Sequence, residues 1–396
     1  MNADTDIAIV GGGPVGAALA LALRDSGLRL TVLEARTAQS AGSDPRPIAL
    51  SHGSRLLLER LGVWADLGTN AGATPINHIH VSQRGGFGRV ALSAADADVP
   101  HLGYVFDYNQ LFSTLVSAAQ HADCDYRDGA RVTALTRDGD VSCLDYTRDG
   151  TAAALTARLV VVADGGDIAG LAPSKAIDYA QHALTARVST TLPHNHVAYE
   201  RFTPDGPLAL LPYGGQGDQG DTMALVWTLK PARAEALKDA DEKTFLVALR
   251  VSFGSRLGDF TAVTQRACYP LTLRYSTNTN ASGVITIGNA AQTLHPVAGQ
   301  GFNLGLRDAW GLAQILCRLS PQALTNPESN AALRGYRAAR RIDRRATIAA
   351  THGLVRLFSN DFFAASAARG VGMTLLGCIA PARNVVARRM IFGVHG

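Results

Sequence analysis

The chain has few of the residues that build disulfide frameworks, metal centres or nucleic-acid surfaces. Cysteine contributes only five of 396 residues, an odd number without a C-x-x-C pair, which argues against a disulfide framework and against a zinc site. We therefore expect no bound metal, and we expect buried, reduced thiols at Cys124, Cys143, Cys268, Cys317 and Cys378. Aromatic residues make up 6% and are not interleaved with the basic residues in a nucleic-acid-binding motif, so we expect no nucleic-acid partner.

Long hydrophobic runs are missing as well. No apolar run reaches the length of about 18 residues that a membrane-spanning helix needs, and the longest late uncharged stretch covers residues 370–382. The first strand begins at about Ile7, which leaves no room for a signal peptide before it. With 47% hydrophobic and 18% charged residues, the composition favours a cytoplasmic globular enzyme of two or three domains.

The N-terminal residues carry a nucleotide-binding signal. An apolar run leads into Gly11, Gly13 and Gly16 in G-x-G-x-x-G spacing, and a stretch rich in Ala and Leu follows. The order is strand, tight turn, helix, in which the glycines let backbone approach a pyrophosphate at the helix N-terminus. A second apolar run ends in Glu34, whose carboxylate would accept hydrogen bonds from a ribose 2′-OH and repel a 2′-phosphate. These residues predict FAD or NAD, not NADP.

A second match to the same glycine spacing has a different context. Gly215, Gly217 and Gly220 lie between LALLPY and TMALVW, two strand-like runs, and no helix follows them. We interpret this match as a flexible hairpin loop, because the order strand, turn, helix that gives the motif its mechanism is missing.

A second key segment lies at residues 288–310, GNAAQTLHPVAGQGFNLGLRDAW. A buried strand ends at Gly288, and a loop stiffened by Pro296 leads through Gly299 and Gly301 into a new helix. The positive end of that helix can stabilise negative charge on a reduced flavin ring. NAD has no such requirement, so the two segments together predict FAD.

These segments, with ERFTPDGPLALLP at 200–212 and APAR at 380–383, resemble the class A FAD-dependent aromatic hydroxylases, the para-hydroxybenzoate hydroxylase-like family. The resemblance runs nearly end to end and is most specific for the ubiquinone-biosynthesis hydroxylases. It implies an FAD-dependent monooxygenase that hydroxylates a polyprenylated phenol through a C4a-hydroperoxyflavin. O₂ would be the co-substrate and NADH or NADPH the electron donor.

The resemblance also implies which residues contact FAD. These are Gly11, Gly13, Gly16, Glu34, Arg36, Arg46, Gln110, Val132, Asp164, Gly165, Asn289, Pro296, Gly299, Gln300, Gly301 and Asn303. The chain departs from the family pattern after Gly165, where Gly166 and Asp167 replace the usual serine or asparagine, and this puts an NAD(P)H contact there in doubt. Asn289 stands in place of the usual aspartate and keeps a hydrogen-bond acceptor.

Candidate catalytic residues are few. His295 and Pro296 are the candidates in the second segment, although a lone loop histidine is equally explained by packing in its own turn. Oxygen transfer to an activated phenol can rely on positioning alone, so the lack of an evident general base does not contradict the prediction.

Three alternatives remain open besides hydroxylation of another aromatic substrate. A flavin halogenase would need a W-x-W-x-I-P signature, which Trp64, Trp227 and Trp310 do not form. An oxidoreductase with its own pyridine-nucleotide domain would need a second strand, glycine turn and helix, and the sequence contains no such second unit. A non-catalytic FAD-binding member of a quinone-biosynthesis assembly is the third alternative.

The predicted fold class is α/β. Residues 1–175 and 264–330 would form a discontinuous Rossmann-like FAD-binding domain, and residues 176–263 an inserted antiparallel sheet that covers the cofactor and holds the substrate. Residues 331–396 would form a basic helical C-terminal region. The sequence does not indicate an oligomeric state.

The C-terminal region concentrates positive charge. From residue 331 onward, eleven arginines stand against two aspartates, a net +9 that leaves −5 for the rest of the chain. Arg334, Arg337, Arg341 and Arg344 fall on one helical face, and the apolar residues Leu354, Leu357, Phe358, Phe362 and Phe363 follow. This pattern favours docking on a membrane surface at its cytoplasmic side or on a partner protein of quinone biosynthesis, and a solvated face packed on the main body is the alternative.

Overall fold

A computed structural model describes most of the chain. The described residues are 3–37, 46–69, 72–164, 174–214, 220–276, 283–293, 299–358 and 363–393. They form two large sheets, one small sheet and a set of helices packed around them.

The strands in these ranges are short in the first third of the chain and long in the middle. In chain order they are β1 (Thr5–Val10), β2 (Leu30–Leu33), β3 (Pro47–Ser51), β4 (Thr74–Ile76), β5 (His78–Gln83), β6 (Arg89–Ser93), β7 (Gly103–Asp107), β8 (Asp125–Arg127), β9 (Arg131–Asp138), β10 (Val141–Arg148), β11 (Thr151–Val162), β12 (Ser174–Thr190), β13 (Val197–Thr203), β14 (Gly206–Pro212), β15 (Thr222–Leu229), β16 (Phe260–Ser276), β17 (Val284–Thr286) and β18 (Gln292–Thr293).

The helices flank the strands and dominate the C-terminal part. They are α1 (Pro14–Leu23), α2 (His52–Arg60), α3 (Trp64–Thr69), α4 (Tyr108–Gln120), α5 (Pro231–Asp239), α6 (Glu242–Phe253), α7 (Gln300–Leu316), α8 (Ala331–Phe358), α9 (Phe363–Cys378) and α10 (Ala380–Phe392).

The first sheet is the predicted Rossmann-like layer. Its order is β8-β2-β1-β11-β10-β9, and β17 pairs in parallel with β11. The side chains of β1 alternate, because Ile7 and Ile9 pack under the helices while Ala8 and Val10 face the β9–β10 hairpin. This parallel centre, buried on both faces, confirms the predicted fold class.

The second sheet has the order β18-β16-β12-β15-β14-β13-β5-β6. Strands β14 and β15 are an antiparallel pair, as the predicted hairpin requires, and Gly215 and Gly217 of its loop lie outside the described residues. The sheet takes more of the chain than the predicted insertion of residues 176–263. Strands β5 and β6 join it because β5 pairs in parallel with β13, and β16 continues to Ser276.

The predicted burial of the cysteines is wrong. Cys124, Cys143 and Cys268 are half-buried, and Cys317 and Cys378 are exposed. The last two lie at the C-terminal ends of α7 and α9, where helix ends meet solvent.

The C-terminal arginines are divided between the interior and the surface. On α8, Arg334 and Arg341 are exposed, whereas Arg337 and Arg344 are partly buried against the body of the protein. Burial lowers the pKa of Arg337 and of Arg344, as expected for cations removed from water. The predicted basic face of α8 is therefore partly packed on the body of the protein, as the alternative interpretation expected, and its role in docking stays a prediction. The side chains predicted to form its apolar continuation, from Leu354 to Phe363, lie outside the described residues.

Among the described residues, no single helix is long and apolar enough to cross a membrane. The segments Arg369–Cys378 and Ala380–Phe392, which meet at a bend of 98°, reach the required length and composition only when taken together.

A buried carboxylate connects α7 to the strand ends of the first sheet. Asp308 is 2% exposed and accepts hydrogen bonds from the Gly288 N–H at 3.1 Å and from Gln292 Nε2 at 3.4 Å. Its other oxygen lies 2.5 Å from Arg340 Nε on α8. Asp308 thereby fixes the loop after β17 to two helices.

We expect Asp308→Asn to destabilise the protein, because it leaves the charge of Arg340 buried with only part of its compensation. Breaking a buried ion pair from one side costs about 3 kcal/mol, and the remaining contact of Arg340 with Asp343 at 2.5 Å limits the loss to about that value. Urea unfolding followed by circular dichroism measures the change. Asp259→Asn, which removes an exposed partner of Arg250, is the control and should cost less than about 1 kcal/mol. Equal losses in the two variants would contradict this account.

Candidate cofactor and substrate site

One cavity of about 1250 Å³ extends from the N-terminus of α1 across the face of the second sheet. Residues of both predicted FAD segments line one end of it. They include Gly11, Gly13, Glu34, Arg36, Arg46, Val132, Asp164, Asn289, Gly299 and Gly301, all predicted from the sequence. The structure therefore brings together residues from opposite ends of the chain.

The glycine turn after β1 leaves no space for side chains. Gly11 has a φ of +97°, and a Cβ there would lie 2.6 Å from the backbone of Asp164. A Cβ at Gly16 would lie 1.9 Å from the Gly11 carbonyl oxygen. Helix α1 begins at Gly13 without a side-chain cap or an acidic residue in its first turn, so its N–H groups are available for a phosphate.

The acid predicted to bind ribose is held in place by its neighbour. Glu34 is 7% exposed at the end of β2, and its Oε1 accepts hydrogen bonds from the Arg36 backbone N–H at 3.0 Å and from Arg36 Nε at 2.9 Å. The guanidinium of Arg36 also stacks over the Phe112 ring at 4.6 Å. This arrangement fixes a carboxylate at the position where an adenosine ribose lies in such folds.

The second FAD segment approaches α1 through two glycines. A Cβ at Gly288, after β17, would lie 3.1 Å from Val15 of α1, and a Cβ at Gly305 of α7 would lie 2.8 Å from it. The absence of these side chains lets α7 and the end of β17 pack closely on α1. Gly299 has a φ of +58° and precedes α7, which has no side-chain cap. A Cβ at Gly301 would have no heavy atom within 4 Å and would project into open space. The cradle therefore fits an extended dinucleotide with a ring system at the α7 end.

Some predicted cofactor residues have other positions. Asn303 is 3% exposed, and its side chain is bonded to protein: Oδ1 accepts from Ser51 N and Ser54 Oγ, and Nδ2 donates to the carbonyls of Ala49 and Gly299. Asn303 thus holds β3 against the start of α7, and its contact with FAD stays a prediction.

Gln110 and Gln300 are not among the residues that line the cavity. Gln110 lies on the first turn of α4, and Gln300 Nε2 donates to the Met390 carbonyl at 3.5 Å. Gly165, His295 and Pro296 lie outside the described residues. Arg46 lies at the cavity with its guanidinium over the rings of Tyr108 and Tyr269, at 5.6 Å and 4.9 Å.

The second sheet contributes the floor of the cavity beyond the FAD end. Its two faces differ in side-chain size, as the alternation of strands allows. Leu208, Leu210 and Trp227 pack on the opposite face beneath α5 and α6. The cavity face carries the small residues Ala183, Thr185, Ala198 and Ala209. Small side chains on this face leave the space that the cavity occupies.

Glu200, on β13, also lines this floor. The carboxyl of Glu200 borders the cavity on one side and is enclosed by protein on the others. This burial disfavours the charged form and raises the pKa of Glu200 to about 7. Glu200 was not among the predicted site residues. The sequence feature that indicates it is the adjacent pair Glu200 and Arg201, because two neighbouring charges in a strand must lie on opposite faces of the sheet.

A separate cluster lies on β12, α5 and β16. The ligand atoms of His182, Glu235 and Cys268 lie within 4.8 Å of one another, a spacing that a metal ion could bridge. Glu235 is already paired with Lys238 at 2.5 Å, so its charge is compensated without a metal.

The fold and the cradle define an FAD-binding flavoprotein, and comparisons with known proteins identify its family. The sequence profile described as "FAD binding domain" matches residues 4–348. The ubiquinone hydroxylase UbiL of Rhodospirillum rubrum is 33% identical over 97% of this chain and 88% of that protein. The 3-demethoxyubiquinol 3-hydroxylase of Escherichia coli is 34% identical over 80% of each protein. The chain belongs to this family of FAD-dependent monooxygenases, which confirms the predicted family and cofactor.

A solved structure supports the fold. The p-nitrophenol 4-monooxygenase PnpA from Pseudomonas putida superposes with a TM-score of 0.75 over 98% of both chains. Its sequence identity is 20%, so this likeness concerns the fold alone.

We expect Gly301→Val to fold normally and to lose hydroxylation by about 100-fold, because the added side chain enters the space at the α7 end and displaces the flavin ring. FAD content of the purified protein and product formation are the measurements. Gly335→Val, also a helical glycine with nothing within 4 Å but outside the cavity, is the control. Normal turnover by Gly301→Val would show that this helix start does not serve the flavin.

Proposed function

We propose that the protein hydroxylates a polyprenylated phenol in ubiquinone biosynthesis, with O₂ as co-substrate and NADH or NADPH as reductant. The observation that carries this proposal is the aliphatic wall at the far end of the cavity. It consists of Ile79, Val90, Leu92, Leu211, Met373, Leu376 and Val386. The names of the ubiquinone hydroxylase relatives agree with it, and residues 288–308 also resemble the 2-octaprenyl-6-methoxyphenol hydroxylases.

The length of the cavity favours a substrate with a long apolar tail. Its floor includes residues from seven neighbouring strands, from β16 to β6. At about 4.8 Å per strand, this width is on the order of 29 Å. Tyr269 of β16 borders the FAD end, so the flavin and the phenol ring share part of that distance, and the remaining aliphatic part suits a prenyl chain.

FAD, when bound and reduced, supplies the activation of O₂. The described residues have three functions beside it: they hold the adenosine half of FAD, hold its ring and exclude water. The glycine turn, Glu34 and Arg36 would hold its adenosine half, and the loop before α7 would hold its ring. The apolar walls exclude water, which protects a reactive oxygen species from release as peroxide.

Narrowing the aliphatic end should separate substrates by their tails. We expect Val386→Trp to lower kcat/KM for a prenylated phenol by about tenfold and to leave a phenol without a tail nearly unaffected, because the indole fills space used only by the tail. Val247→Trp is the control, since Val247 is 55% exposed on α6 and does not line the cavity. An equal effect of Val386→Trp on both phenols would contradict the assignment of this end to the tail.

We also propose that α9 and α10 dock on an anionic membrane surface. Val371 and Leu375 are exposed one turn apart on α9, Ile379 is exposed between α9 and α10, and Val385 continues the apolar surface on α10. Arg388 and Arg389 are exposed one turn from Val385. Met373 and Leu376, on the other side of α9, line the cavity, so a prenyl tail would have to pass only one helix to enter. Arg383 belongs to the fold, because it pairs with Asp96 at 3.2 Å.

We expect the double variant Val371→Gln and Leu375→Gln to sediment less with anionic liposomes and to keep its FAD, because it removes apolar contact without disturbing the cavity. The double variant Arg388→Gln and Arg389→Gln should lose about 1 kcal/mol of binding free energy per charge, in a salt-sensitive way. The control is Val247→Gln with Val251→Gln, equally exposed valines on α6. Equal sedimentation of all variants, or none by the wild type, would rule out docking by this surface.

A further inference from the structure

Glu200 places a carboxyl group in an apolar part of the cavity. Its neighbours in register are Ala209 on β14 and Val81 on β5. On its own strand, Ala198 and Phe202 lie on the same face, two residues before and after it. Within the described part of the chain, no hydrogen bond or ion pair to the Glu200 carboxyl is found. Its oxygens are therefore available to a molecule in the cavity.

The neighbours of Glu200 in sequence cannot neutralise it. Tyr199 packs on the Phe253 ring with centroids 5.4 Å apart, on the other face of the sheet. Arg201 points to that face as well and donates to the Ser252 carbonyl at 3.1 Å.

The elements packed around Glu200 contribute two other ionisable residues to the cavity among those described, Arg369 on α9 and Tyr199 on β13. Arg369 Nε donates to Gln83 Oε1 at 3.2 Å, and burial raises the pKa of the Tyr199 hydroxyl, which therefore stays neutral at pH 7. Arg46 and Tyr269 line the FAD end and lie against each other. Desolvation is the cause that raises the pKa of Glu200 to about 7, and a group with such a pKa can both accept and return a proton at neutral pH.

We propose that Glu200 is the acid–base group that removes the hydroxyl proton of the phenol substrate. The inference rests on the proposed function and names the residue that would activate its substrate. The O–H bond of the phenol breaks, and its proton forms a bond to a Glu200 oxygen. The proton returns to the same ring oxygen when the product recovers its hydroxyl. The hydrogen displaced from the hydroxylated carbon leaves as a proton, and the second oxygen atom of O₂ leaves as water, so charge and atoms balance.

The apolar surroundings favour this exchange over simple ionisation. Two negative charges in one dry site repel, so the pair of carboxyl and phenol carries a single negative charge and shares one proton. A phenolate ring is richer in electrons than a phenol ring and reacts faster with an electrophilic oxygen. Glu200 would thus produce the reactive form of the substrate only after the substrate is bound.

A binding measurement tests the proton transfer without turnover. The probe is 4-nitrophenol, whose phenolate absorbs in the visible range and whose neutral form does not. Added to the oxidised FAD-loaded protein at neutral pH, it should give a phenolate difference spectrum with wild type. Glu200→Gln keeps the size of the side chain and should bind the probe in its neutral form. Equal phenolate fractions in the two proteins, or neutral probe in the wild type, would overturn the proposal.

The pH dependence of hydroxylation is the second measurement. The wild-type rate should rise as the pH passes through about 7, where Glu200 becomes the carboxylate, and then level off. Glu200→Gln should lose this rise and fall by about 100-fold with full FAD content, and Glu200→Asp should restore the rise at a lower rate. Glu59→Gln, an exposed carboxylate on α2 paired with Arg55, is the control. An unchanged profile in Glu200→Gln would refute the role.

The two hypotheses fail in different ways. If the wild type hydroxylates no phenol but the spectra differ as expected, the proposed function is wrong and the proton transfer remains supported. If the wild type hydroxylates prenylated phenols but the spectra and pH profiles of Glu200→Gln match it, the proposed function remains supported and Glu200 has another role.

Discussion

The site depends on one buried carboxylate. The glycine turn after β1 and the loop after β17 come from opposite ends of the chain, and both must face the same dinucleotide. Asp308 fixes that loop by accepting the Gly288 N–H, and Arg340 fixes Asp308 from α8. Because the charges of this pair are buried, removing either partner leaves the charge of the other with less compensation. The C-terminal region thereby supports the cofactor end of the cavity through α8, and α10 contacts the start of α7 directly where Gln300 donates to the Met390 carbonyl.

The second sheet keeps an apolar cavity open inside the protein. Its strands put large side chains such as Trp227 beneath α5 and α6 and small ones such as Ala209 toward the cavity. The large side chains stabilise the sheet from one side, so the other side does not have to be filled. Helix α9 then closes the far end with Met373 and Leu376, and a long apolar substrate would complete the packing.

The sequence was sufficient for the parts of the site that backbone geometry dictates. The turn at Gly11 and the open approach at Gly301 follow from what only glycine permits, and both were predicted. The side chain of Asn303 bonds to protein, and sequence spacing could not separate such contacts from contacts to a cofactor, because an amide bonds equally well to both. The four arginines of α8 were expected on one face, but long arginine side chains also pack inward, and local spacing cannot separate Arg337 and Arg344 from the exposed pair. The adjacent charges of Glu200 and Arg201 were a local signal, but the position of Glu200 in the cavity required the pairing of β13 with β5, which no local pattern reveals.

The position of Glu200 links stability to function. Burial raises the pKa of Glu200 from the 4.5 of a solvated glutamate to about 7. Below the lower value the group is protonated in the folded and unfolded states alike, and burial carries no ionisation penalty. As the pH rises between the two values, the unfolded chain releases a proton that the folded protein retains, so the folded state loses stability. A proton taken from a bound phenol, as proposed for Glu200, would offset this loss by neutralising the carboxyl.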